Sequence, residues 1–275
     1  MTAAKSTKRK SGASRPSLAV SLMGRVGYAA RGTIYLLIGI SAGRTTLDPG
    51  HRPGGLTQSL KLFQHYWAGG IVLVLLAFGL ACFAGWLAVA AVYRRDHPGR
   101  AHYALVAGML GDAAVYVGFV GSVLGMLFGA WSGGGDDELQ SWIGWLVGGV
   151  PGRVLVGLAG AIVCGCGAGL VAWGAFGDIE GPLELPPAEK RLVQPIGRYG
   201  TGGRGVAIAL VGVFLVISAI HSDPHDAHEL GGVLRELRGF SYGAAVTAAF
   251  ALAFVGSAIF DFVIAGFRRF NPRDP

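Results

Sequence analysis

Residues 24–39 read "GRVGYAARGTIYLLIG". The run has the apolar content of a membrane helix, yet Arg31 lies inside it, where an unpaired ion costs roughly 3 kcal/mol in hydrocarbon. The stretch returns at residues 197–212 as "GRYGTGGRGVAIALVG", with Arg204 at the same offset. An arginine at one register of two related apolar runs is a feature of the architecture.

Composition sets the solvent. The chain has 275 residues, 52% hydrophobic and 14% charged, with a mean hydropathy of +0.51. A soluble domain carries about 25% charged residues, so this one lacks the polar surface to face water. Its 47 glycines are more than twice the usual roughly 7%, and small residues let membrane helices approach closely. The net charge of +7 comes from short basic blocks beside apolar runs. That distribution suits a lipid surface and not a nucleic-acid partner. Cys82, Cys164 and Cys166 all lie within apolar runs and read as small packing residues.

About 20 apolar residues cross a bilayer as a helix, and lipid leaves open sheet edges unsatisfied. Six runs qualify: Val26–Gly43, Gly69–Tyr93, Tyr103–Ala130, Val154–Gly177, Thr201–Ile220 and Gly243–Phe267. Fifteen Lys/Arg lie in the N-tail, the 94–100 loop, the 178–200 linker and the C-tail, against six in the alternate loops. The excess predicts both termini on the cytoplasmic side of the membrane.

The alternate loops repeat a pattern. Leu56, Leu60 and Phe63 stand 13, 9 and 6 residues before Gly69; Leu139, Ile143 and Leu146 stand so before Gly152, and Leu230, Leu234 and Leu237 before Gly243. Such spacing gives each loop one apolar helical face, with Trp67, Trp142, Trp145 and Tyr242 nearby as interface residues. The chain therefore reads as an all-α polytopic protein of three parallel units, each span, interfacial helix, span, around a pseudo-threefold axis along the membrane normal. The boundaries are a basic tail over 1–20, repeats over 21–100, 101–180 and 196–270, and a Pro-rich cytoplasmic linker over 181–195. Gly121, Gly125 and Gly129, and Gly165 and Gly169, are spaced for close helix contact within the bundle.

The "GYAARGTIYLLIG" element, its third-unit copy and the three two-helix units resemble a bacterial integral membrane family, domain-of-unknown-function family 1206. The resemblance spans Gly24 to Arg269 and implies a multi-pass membrane protein, with no activity, substrate or catalytic residue attached. The second unit departs from it: "GMLGDAAVYVG" carries Asp112 at the arginine position.

Arg31, Asp112 and Arg204 share one register, and Asp261 reaches a similar depth seven residues before Arg268. Two positive and two negative charges predict an Arg31/Asp112/Arg204/Asp261 cluster, since an arginine fork can engage two carboxylates. The competing reading is that each arginine snorkels separately to the headgroups. In "HSDPHDAHE", residues 221–229, His221, His225 and His228 stand among carboxylates as a candidate zinc site, against a plain solvated turn begun by Pro224.

The sequence contains no phosphate loop, nucleophile elbow or metalloprotease motif. The expectation is thus a non-catalytic protein without a cofactor, a scaffold, assembly or envelope component whose partners are the bilayer and other membrane proteins. The alternative is a small ion, proton or solute transporter or channel working through the buried Arg/Asp layer.

Overall fold

A computed structural model describes residues 18–47, 69–94, 100–128, 136–177 and 186–268. Within them the regular elements are eight α-helices: α1 (Leu18–Leu47), α2 (Gly69–Arg94), α3 (Arg100–Leu127), α4 (Asp136–Val147), α5 (Val150–Phe176), α6 (Pro187–His221), α7 (Leu230–Arg238) and α8 (Gly243–Phe267). A 3₁₀ turn, Pro224–Asp226, precedes α7.

Five helices are long and apolar enough to cross a membrane, over Gly69–Val92, Gly108–Leu127, Val150–Phe176, Glu189–His221 and Gly243–Phe267. α1 falls below that mark because Arg31, Tyr28, Tyr35 and several glycines dilute its apolar content. Its place explains the tolerance. The long helices pack in the order α3–α2–α1–α8–α6–α5, so α1 is flanked on two sides by protein. Apolar side chains such as Leu75 and Phe78 of α2 and Leu155 and Leu158 of α5 face outward. A chain whose exterior is this apolar is a multi-pass membrane protein.

Glycine sets the helix contacts. A Cβ at Gly27 would come 2.6 Å from Phe83 Cα, and Gly200 likewise abuts the backbone of Ser257. Gly79 meets Ala30, and Gly203 meets Ala253. Gly32 lies against Ala258, Asp261 and Phe262, while Gly205 lies against Gly167, Leu170 and Val171. Gly39 meets Ala251 and Val255, and Gly212 meets Gly160 and Cys164. Of the glycines expected from four-residue spacing, Gly121, Gly165 and Gly169 face open space, and Gly129 lies outside the described residues. The α5–α6 contact instead uses Gly160 against Gly212, Gly167 against Gly205 and Gly174 against Gly202, a seven-residue spacing on α5 that keeps one face on a neighbour.

Of the three expected interfacial helices, α4 holds Leu139, Ile143 and Leu146 and α7 holds Leu230, Leu234 and Leu237. Ile143 and Leu234 are buried, with the flanking leucines packed around them. Leu56, Leu60 and Phe63 lie outside the described residues. Residues 187–195 of the expected 181–195 linker are helix, since α6 starts at Pro187 and contains Pro195, and residues 181–185 lie outside the described residues. Proline suits the first helical position, where its missing N–H has no intrahelical partner. The bond lost at Pro195 falls where Arg191 and Pro195 are exposed, so water can hydrate the freed carbonyl.

Candidate functional site

The polar groups inside the bundle form a layer walled by aromatic rings. On α1, Arg31 Nε donates to Asp261 Oδ2 of α8 at 2.8 Å, and its Nη2 donates to Oδ1 of the same carboxylate. This is the bidentate fork expected of a strong pair. Asp261 is 1% exposed and Arg31 8%, so the pair is sealed and Arg31 does not snorkel. The guanidinium also lies 4.6 Å from the ring centroids of both Tyr28 and Phe83, where the ring quadrupole attracts a cation. Tyr28 in turn meets Phe83 and Trp86 edge-on, at 5.1 and 5.5 Å. Arg268, just past α8, donates to Tyr28 Oη at 3.1 Å and lies 5.4 Å from the Trp86 ring. Arginines therefore bracket one aromatic box.

Arg204 has a different partner. Its Nη1 donates to Tyr35 Oη at 3.0 Å, and Tyr35 shares a 2.9 Å hydrogen bond with Tyr116 Oη of α3. The Arg204 guanidinium lies 5.0 Å from the Tyr35 ring centroid, while its buried Nε has no hydrogen-bond partner among the described residues. Arg31, Tyr116 and Asp261 are within electrostatic reach of it. Asp112 stands apart, exposed on α3 one helical turn before Tyr116. So the four charged residues do not gather as one cluster: Arg31 and Asp261 pair, Arg204 joins them through a tyrosine, and Asp112 stays outside. Shared register sets depth along a helix, but a neighbour must cover the helix face, and this part of α3 has none.

The histidines take separate partners. His221 Nδ1 is 2.7 Å from Asp226 Oδ2, His225 Nδ1 is 3.2 Å from Gln140 Oε1, and His228 meets the Phe214 ring at 5.1 Å. Among the described residues no group of three His, Cys, Asp or Glu side chains is arranged to hold a metal. The three imidazoles thus do not converge on one point among the described residues. The segment is a clasp: Asp223 accepts from the His225 N–H at 2.9 Å, Gln140 donates to the Ala227 carbonyl at 3.2 Å, and Arg153 donates to Ser222 at 2.8 Å. These bonds hold α4 and α5 to the turn that starts α7.

Sequence reasoning missed Tyr28, Tyr35, Phe83, Trp86, Tyr116 and the inward role of Arg268. A signal existed for the tyrosines. Tyr28 and Tyr35 stand three before and four after Arg31, and Tyr116 four after Asp112, spacings that share a helix face. Phe83 and Trp86 had none, because they arrive from another helix.

A family model described as Domain of Unknown Function (DUF1206) matches residues 26–94 and 199–268, together about half of the chain. Among curated proteins, the chain is 24% identical over 250 residues to "Uncharacterized protein YxxB" of Bacillus subtilis (strain 168), an alignment spanning 86% of each. No solved structure matches. The two matched regions contain Arg31, Arg204 and Asp261 with their tyrosine neighbours Tyr28 and Tyr35, and on this evidence the chain belongs to the DUF1206 family.

Proposed function

We propose that the protein is a non-catalytic, six-span component of the bacterial cytoplasmic membrane, a scaffold or assembly partner built from three two-helix units around a pseudo-threefold axis. The packing supports the repeat. Gly27/Phe83 in unit one corresponds to Gly200/Ser257 in unit three, and Ala30/Gly79 corresponds to Gly203/Ala253. Between units, the contacts of Gly32 and Gly39 with Ala251, Val255, Ala258, Asp261 and Phe262 correspond to those of Gly205 and Gly212 with Gly160, Cys164, Gly167, Leu170 and Val171. α1 is the sixth span, tolerated by its position between two other helices. The basic blocks put the termini in the cytoplasm.

The observation that carries the scaffold reading is the sealed Arg31–Asp261 pair. Its hydrogen bonds are spent on each other and its surroundings are rings, so it holds helices together and has no site left for a travelling ion. A transport reading draws on one feature, the buried Arg204 Nε without a partner. Purified protein in liposomes carrying a pH or potassium gradient separates the two. The scaffold reading expects the gradient to decay as in empty liposomes. Dissipation that disappears in Arg204→Gln would give the function to transport.

A further inference from the structure

Five of the six neighbour contacts of a closed six-helix ring are made: α1–α2, α2–α3, α5–α6, α6–α8 and α8–α1. The sixth, α3 against α5 within unit two, has no comparable interface. The residues at the break are informative. By the offsets that relate the units, Gly108 on α3 corresponds to Gly27 and Gly200, and Cys166 on α5 to Phe83 and Ser257. Gly111 corresponds to Ala30 and Gly203, and Ile162 to Gly79 and Ala253. In units one and three these positions touch across the helix pair. In unit two, Gly108 and Gly111 have nothing within 4 Å of where a side chain would start, Cys166 is exposed, and Ile162 is 65% exposed. Unit two thus has glycines on α3 for close contact without the contact, and open Gly111 leaves room for Ile162, which is larger than its counterparts Gly79 and Ala253.

The charges break at the same place. Asp112 corresponds to Arg31 and Arg204, the two residues that face the bundle interior, and Tyr116, one turn further on, already reaches inward to Tyr35. Yet Asp112 is exposed on the uncovered part of α3, while Arg204 has a buried Nε without a partner and no carboxylate bonded to it among the described residues.

We propose that the α3–α5 seam closes, with Gly108 packing on Cys166 and Gly111 beside Ile162, and that closure carries Asp112 inward to pair with Arg204. The occupant of each exposed face is therefore the other half of the same unit, as the equivalent residues of units one and three indicate. The described structure is the open form of a two-position seam. Closure gives the buried Arg204 a carboxylate partner beside the Arg31–Asp261 pair, which is the gain in hydrocarbon that drives it. The inference rests on the threefold reading given above.

The test is cross-linking in native membranes with a short, flexible bis-methanethiosulfonate, in a background of Cys82→Ala, Cys164→Ser and Cys166→Ala. One chain carries Met23→Cys with Gly85→Cys, where the end of the Met23 side chain reaches the space that a Cβ at Gly85 would take. A second carries the equivalents in unit two, Ala104→Cys with Ala168→Cys. Both pairs leave the tight glycine contacts unchanged. Closure predicts that the reagent converts most of the 104/168 chain into an internally cross-linked monomer. Adding Asp112→Leu should slow that reaction at least about tenfold, a modest part of what a buried pair is worth, while Asp112→Glu retains the rate. If 23/85 cross-links and 104/168 does not, the seam does not close and the repeat stands. If neither cross-links, the repeat packing fails as well. Cross-linked dimers at 104/168 would put a second copy in the seam and overturn the proposal. An unchanged rate in Asp112→Leu would overturn the Asp112–Arg204 pairing.

Discussion

Consider cutting the Arg31–Asp261 pair from either side. Asp261→Ala leaves a guanidinium that cannot shed its proton in a site where the native arginine is 8% exposed and ringed by Tyr28 and Phe83. Removing one partner of a buried pair costs about 3–5 kcal/mol, against a total stability of about 5–15 kcal/mol for a typical domain. Arg31→Met leaves the Asp261 carboxylate alone at 1% exposure and also removes three cation–π contacts, to Tyr28, Tyr35 and Phe83, each worth up to about 2 kcal/mol in a desolvated site. The double variant Arg31→Met/Asp261→Leu removes both charges and fills the space with apolar atoms, so it should lie within about 2 kcal/mol of the parent or above it. The three numbers imply a coupling of several kcal/mol. Reversible unfolding in mixed detergent micelles, followed by circular dichroism, measures all four corners of the cycle. Single effects that add to the double effect within about 0.5 kcal/mol, the behaviour of independent sites, would refute the claim that this pair holds α1 to α8.

Two further outcomes follow from the same geometry. Gly212→Leu drives a side chain into the backbone of Cys164 and the Gly160 carbonyl and should cost at least about 1–3 kcal/mol by overpacking, whereas Gly165→Leu, facing open space, should lie within about 0.5 kcal/mol of the parent; detergent unfolding compares them. Isothermal titration with Zn²⁺ should give no heat at micromolar metal, because His221, His225 and His228 are engaged with Asp226, Gln140 and the Phe214 ring.

Much was legible in the sequence because lipid imposes simple rules on a chain. A charge-free run such as Gly69–Val92 has no stable state in hydrocarbon but a helix, so the helical class and most spans were readable from hydropathy alone. The apolar stripes of α4 and α7 were readable for a related reason: a spacing of three and four is a property of one helix by itself. Arg31 was likewise visible as a residue in need of a partner. Which partner it has was not, because the cost of a buried ion is local while its relief comes from whatever helix lies opposite. Asp261, Tyr35 and Phe83 reach the arginines only through the order in which α2, α6 and α8 assemble around α1. The same holds for glycine. Spacing within one helix suggested Gly165 and Gly169, but a close contact needs a gap on both sides, and only the facing helix decides that Gly160, Gly167 and Gly174 fill that role against Gly212, Gly205 and Gly202. Depth and amphipathic face belong to a helix alone; a partner belongs to the assembled bundle.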